Sequence, residues 1–252
     1  MTGVAINTDV GEGFGPWRFT DDEALLDHVT AANIACGFHA GDPDILRRTC
    51  AAAVRRGVAI GAQVSYRDLA GFGRRFIDVP TGTLVNDLLY QIGALRIFAE
   101  IAGGRVDYVK AHGALYNTAA THREHAAALV EAVATADPAL PLLCQPGTEV
   151  WRQAEDAGLR PLAEAFADRG YDARGLLVPR DQPGALVTDR EEAARRVVRM
   201  VVEGRVTAVT GEDIPITPAA LCVHSDTAGA LELASAVASA LREAGVSLTP
   251  IR

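Results

Sequence analysis

Short apolar runs that end in a polar residue alternate along this chain with amphipathic segments of helical period. Val4-Ala5-Ile6-Asn7, Asn33-Ile34-Ala35-Cys36 and Val58 to Gln63 are the first three runs. Val106 to Lys110, Leu140 to Cys144, Arg160 to Ala165 and Leu221 to His224 continue the series. Their apolar residues are consecutive rather than alternate, the pattern of parallel strands covered on both faces. Helices are predicted between and after them, over Asp21 to Val29, Asp42 to Arg56, Thr83 to Ala102, Arg123 to Ala136, Glu149 to Ala157, Asp189 to Glu203 and Ala228 to Ala244. Thr20 followed by Glu23 reads as a capping box, and Asp42-Pro43 as a cap with a first-turn proline. The stretches Ser65 to Pro80 and Asp168 to Ala185 are rich in glycine, proline and arginine and read as loops.

Repeated strand–helix steps predict an α/β fold with a parallel sheet and crossover helices. Periodicity fits a closed barrel and an open doubly wound sheet equally. No linker or composition break divides the 252 residues, so 1–252 is assigned to one domain, a length that α/β barrels fill.

Composition adds limits. With 49% hydrophobic and 22% charged residues the chain can bury a full core. A formal net charge of −8 disfavours nucleic acid and anionic membranes as partners. It also gives an acidic substrate no long-range attraction, so any anion site must be built locally. Cys36, Cys50, Cys144 and Cys222 form no C-x-x-C pair; three sit in predicted strands and read as core thiols. No leader-like segment opens the chain and no run of about 18 apolar residues occurs, so a cytoplasmic protein is expected.

Parallel α/β folds place their sites at the carboxyl ends of the strands. Those ends carry Asn7, Asp9 and Glu12 after strand one, His39 after strand two, Gln63 after strand three, Lys110 and His112 after strand four, and His224 with Asp226 after the last strand. Lys110 can hold a phosphate or carboxylate while His112 moves a proton, and His224 and Asp226 can act as an oriented acid/base pair. Plainer roles compete: Asp9 as a turn residue, Asp42 as a helix cap, His39 as a loop imidazole bonded to a carbonyl. His28, His122 and His125 lie on or near helices and read as solvated surface. His39, His112, His224, Asp9 and Asp226 would suffice for a three-ligand metal site, but no H-x₃-H or H-E-x-x-H spacing supports one. Walker, G-x-G-x-x-G and G-x-S-x-G motifs are missing.

Several of these segments together carry a resemblance. Asn7 to Glu12, Asn33 to Asp42, Gly71 to Arg75, Val109 to Asn117, Val178-Pro179-Arg180 and Cys222 to Asp226 resemble the LamB/YcsF family, in order over nearly the whole chain. The resemblance implies an incomplete seven-stranded parallel (β/α) barrel of the glycoside hydrolase and deacetylase type. It also implies an enzyme that opens the lactam of 5-oxoproline to L-glutamate, coupled to ATP hydrolysis, together with two further subunits, B and C. ATP, with Mg as its counter-ion, is then the expected cofactor and a small lactam the substrate. The expected catalytic residues are Asp9, His39, Lys110, His112, His224 and Asp226; Asn7, Glu12, Gln63, Arg75 and Tyr116 are expected to bind substrate. One departure matters chemically. Where the family usually reads Gly-Ala-His-Pro, this chain reads Gly61-Ala62-Gln63-Val64, an amide that can hydrogen-bond but cannot move a proton near neutral pH. Two alternatives therefore stand beside the first reading: a metal-dependent deacetylase- or amidase-type hydrolase acting alone, and a non-catalytic paralogue.

Overall fold

The structure, a computed structural model, describes residues 3–18, 21–225 and 229–252. Its strands are β1 (Gly3–Val10), β2 (Ala31–Ala35), β3 (Ala59–Val64), β4 (Val106–Ala111), β5 (Leu142–Cys144), β6 (Pro161–Phe166), β7 (Arg205–Thr207), β8 (Asp213–Pro215), β9 (Ala220–Val223) and β10 (Ser247–Leu248). Strands β1 to β6 and β9 run parallel in that order, and β1 pairs again with β9. The ring is therefore a closed seven-stranded barrel rather than an open sheet. β10 adds to the start of β1, and β7–β8 is a separate hairpin.

The helices are α1 (Asp22–Leu25), α2 (Pro43–Arg56), α3 (Thr81–Ile101), α4 (Gly113–Ala119), α5 (Arg123–Ala136), α6 (Glu149–Asp156), α7 (Arg190–Val202) and α8 (Ala230–Glu243). The Asp42 carboxylate accepts from Ile45 N at 2.9 Å, and Gly57 ends α2 in the left-handed conformation at φ 67°. α1 is one turn only. Asp21 caps it by accepting from Ala24 N, while Thr20 lies outside the described residues. The expectation that His125 is solvated does not hold. It is buried, and its Nδ1 lies 2.6 Å from the Tyr66 hydroxyl, so it pins the loop after β3 to α5.

Alternation along the strands sorts the side chains. Val4, Ile6, Ile34, Ile60 and Val109 join the core between barrel and helices. Ala5, Ala31, Ala59, Tyr108, Leu143 and Ala220 fill the lower barrel, where Ile251 packs with them. Tyr108 fits because Gly61 has no side chain: a Cβ there would lie 2.2 Å from the ring. The Tyr108 hydroxyl donates to Asn33 Oδ1 at 2.6 Å, so the apolar layer ends in a polar bond. Above it the interior is polar. Among the described residues no helix is long and apolar enough to cross a membrane.

Candidate active site

Lys110 follows Tyr108 by one inward step on β4 and is 3% exposed. Its Nζ lies 2.8 Å from Glu164 Oε1, 3.4 Å from Asp9 Oδ1, 3.2 Å from Asn7 Oδ1 and 3.2 Å from Cys222 Sγ. Burial opposes the ammonium charge, but Asp9, Cys222 and Glu164 outweigh it and hold the amine well above its ordinary pKa. Lys110 is thus a fixed cation rather than a proton donor at neutral pH. Burial likewise pushes the Asp9 carboxyl up, and Lys110, His224 and a hydrogen bond from Asn33 bring it below the usual range. Asn33 Nδ2 donates to both Asn7 Oδ1 and Asp9 Oδ1 at 2.7 Å, which locks the two acceptors in place.

A second cluster adjoins the first. The turn after β2 carries Gly37 and Gly41 at positive φ, and a Cβ on Gly41 would meet Ala35 O at 2.9 Å. This tight turn brings His39 back over the barrel, where it is fully buried. Its ring stacks on His112 with centroids 4.2 Å apart. Gln63 bridges the group: its Nε2 donates to Glu12 Oε1 at 3.1 Å, and its Oε1 faces His39 Nε2 at 3.2 Å. That orientation puts the His39 proton on Nε2. Burial depresses His39 to about 4 and His112 well below its ordinary value, so both rings are neutral at pH 7.

Glu12, His39 and His112 present ligand atoms within 4.8 Å of one another and form a group that could hold a metal ion. The donor set fits a divalent cation: two neutral imidazoles and a carboxylate oxygen lying 3.6 Å from His112 Nε2 and 4.0 Å from His39 Nε2. An ion there would take His39 Nε2 from Gln63. Asp9 and His224 do not belong to this group; Lys110 and Asp168 claim them instead.

Both oxygens of Asp168 lie 2.9 Å from His224 Nδ1. The partner of His224 among the described residues is therefore Asp168, from the loop after β6, while Asp226 lies outside them. The pair is buried, and the His224 ring stacks on Phe166. Burial raises Asp168, but His224 more than offsets it and holds the carboxyl below the usual range.

A cavity of about 380 Å³ opens over these groups at the carboxyl ends of the strands, lined by Asp9, Lys110, His112, Tyr116 and His224. Asn7, Glu12, His39 and Gln63 are buried, and none of them lines it. Arg75 is drawn away: Asp68 binds its Nε at 2.9 Å and also its Nη2. Its neighbour Arg74 lines the cavity instead, together with Arg169 and Arg180. Glu164 and Asp168 were not among the residues expected from sequence. The strand-end rule applied to β6 would have reached both, each two residues from Phe166 and in phase with it.

The model of the LamB/YcsF family matches residues 4–252. The A subunit of 5-oxoprolinase from Mycolicibacterium gilvum is 56% identical over 98% of each chain. The 5-oxoprolinase A subunit of Streptomyces coelicolor is 54% identical over 97% of this chain and 98% of its own. A crystal structure of a lactam utilization protein from Thermus thermophilus superposes with a TM-score of 0.95 at 43% identity, covering 98% of this chain and 99% of that one.

Proposed function

The chain belongs to the LamB/YcsF family, and on that premise we propose that it is the lactam-opening subunit of a 5-oxoprolinase, converting 5-oxo-L-proline to L-glutamate at the cavity over Lys110. The observation that carries this reading is a buried lysine, anchored by Asp9 and Glu164, beneath a cavity also lined by an oriented histidine. The relatives named as 5-oxoprolinase A subunits agree with it over nearly their whole length.

A five-membered lactam is a stable amide and a poor electrophile. ATP, when bound with Mg, would supply the activation that turns the carbonyl oxygen into a leaving group. The protein's own residues do the rest. Lys110 sets a fixed positive charge against the oxygen as negative charge develops there. Asp168 holds the His224 Nδ1 proton, which leaves Nε2 as the base for the attacking water. His112, kept neutral by burial, joins the cavity to the Glu12–Gln63–His39 relay as a hydrogen-bonding group. Subunits B and C are proposed as partners because the relatives are named as one subunit of several, and ATP use places the complex in the cytoplasm.

The test is 5-oxoproline-dependent ATP hydrolysis with glutamate detected, for this chain alone and assembled with B and C. Turnover confined to the assembly is expected. No turnover in a verified assembly would refute the proposal. A second reading, a metal-dependent amide hydrolase, is favoured by one observation, the Glu12–His39–His112 group. Stoichiometric divalent metal together with amide hydrolysis by the lone chain would replace the first reading with this one.

A further inference from the structure

Arg169 is a buried cation without an anion. It is 4% exposed, and its guanidinium donates to two neutral carbonyls, Nε to Ala185 O at 3.1 Å and Nη2 to Val178 O at 2.6 Å. No ion pair among the described residues includes it, and the adjacent Asp168 is committed through both oxygens to His224. Arg180 stands in the same loop, and both arginines line the cavity. Burial, and then the positive charge of Arg180, hold Arg169 below the usual arginine range. A chain with net charge −8 thus gathers like charges at one wall of its active cavity. A buried charge is costly unless something pairs with it, and a second cation nearby raises the cost.

The wall is built rather than loose. Gly170 N donates to Ala185 O at 2.9 Å and Val178 N to Gly170 O at 3.0 Å. A Cβ on Gly170 would lie 2.1 Å from Gly184 O, so the two backbone segments meet where only glycine fits. Arg196, from α7, donates to Ala167 O at 3.1 Å and Arg169 O at 3.0 Å and fastens the loop to the barrel. These bonds fix Arg169 before any ligand arrives, which lowers the entropy cost of binding.

We propose that Arg169 and Arg180 form an oxyanion subsite that reads the carboxylate of the substrate, so that the cavity takes lactam acids and rejects their uncharged amides. The assignment rests on the lactam-opening reading for its substrate. A phosphoryl group would offer similar oxygens, and the experiment separates the two.

The test is calorimetric titration of the full chain with 5-oxo-L-proline, its carboxamide and inorganic phosphate, for wild type and Arg180→Gln. Arg180 is exposed, so the variant should fold. The acid is expected to bind wild type about 10-fold or more tightly than the amide, the span of a charged hydrogen bond, and the preference should collapse in the variant. Wild type that binds acid and amide alike, or binds neither, overturns the proposal. So does a variant that keeps the preference for the acid. Phosphate binding that is lost in the variant while the acid keeps its preference assigns the subsite to phosphoryl oxygens and overturns the carboxylate. The functional reading can fail separately. If the assembled complex makes no glutamate, yet the chain prefers N-acetylglycine to its amide only when Arg180 is present, the lactam falls and the subsite stands.

Discussion

Replacing Lys110 with methionine removes the one cation that holds Asp9 and Glu164 inside the barrel. At 2.8 and 3.4 Å and an effective dielectric near 20, the gross attractions are about 6 and 5 kcal/mol. Desolvation of the three ions cancels much of that, and removing one partner of a buried pair costs about 3–5 kcal/mol net. That is a large share of the ~5–15 kcal/mol that stabilises an ordinary domain. Glu164→Gln should cost less, because it removes one of two negative charges around a single positive one. The double variant should then be at least ~1.5 kcal/mol more stable than the sum of the single losses allows, since Glu164 no longer repels the stranded Asp9. Urea unfolding followed by circular dichroism measures all four proteins. Losses that add within ~0.5 kcal/mol would refute the idea that the three groups form one electrostatic unit.

Asp168→Asn should lower turnover of the assembled enzyme about 100-fold or more with KM little changed, because His224 loses the group that fixes its proton on Nδ1; steady-state kinetics that leave kcat intact would remove the pair from the mechanism. The same substitution bears on acid stability. Asp168 is held below its ordinary range when folded, so it contributes stability above the unfolded carboxylate pKa that is lost as pH falls through the folded value. Wild type should therefore lose more stability than Asp168→Asn between about pH 4 and 2, and equal slopes would contradict the assignment. Gly61→Ala sets a methyl 2.2 Å from the Tyr108 ring and should destabilise by about 1–3 kcal/mol, visible as a lower Tm. Zinc titrated into the chain should bind at Glu12, His39 and His112 and weaken at least ~10-fold in Glu12→Gln; an unchanged affinity excludes the triad.

The barrel was legible because each buried strand is a continuous apolar run and most of the helices have clear caps. What escaped was short: α4 has seven residues and no side-chain cap, and β7, β8 and β10 have three residues or fewer, too few to show a period. The strand-end rule found His39, Lys110, His112 and His224, since it needs only the order of elements. It could not show how they divide, with Lys110 serving Asp9 and Glu164 while His39 and His112 gather around Glu12. Sequence proximity pointed His224 towards Asp226, whereas the barrel brings in Asp168 from 56 positions away. Nothing in the run of glycines and arginines tells Arg74 from Arg75; the difference is Asp68, whose carboxylate takes one and leaves the other to the cavity.

The central claim is that the lactam is opened in the cavity above Lys110. Glutamate formation by the complex assembled with Asp9→Asn, a substitution that keeps the shape and removes the charge facing Lys110, tests it most directly. The account predicts a loss of about 100-fold or more with assembly intact. Wild-type rates from that assembly would contradict it and move the chemistry out of this barrel.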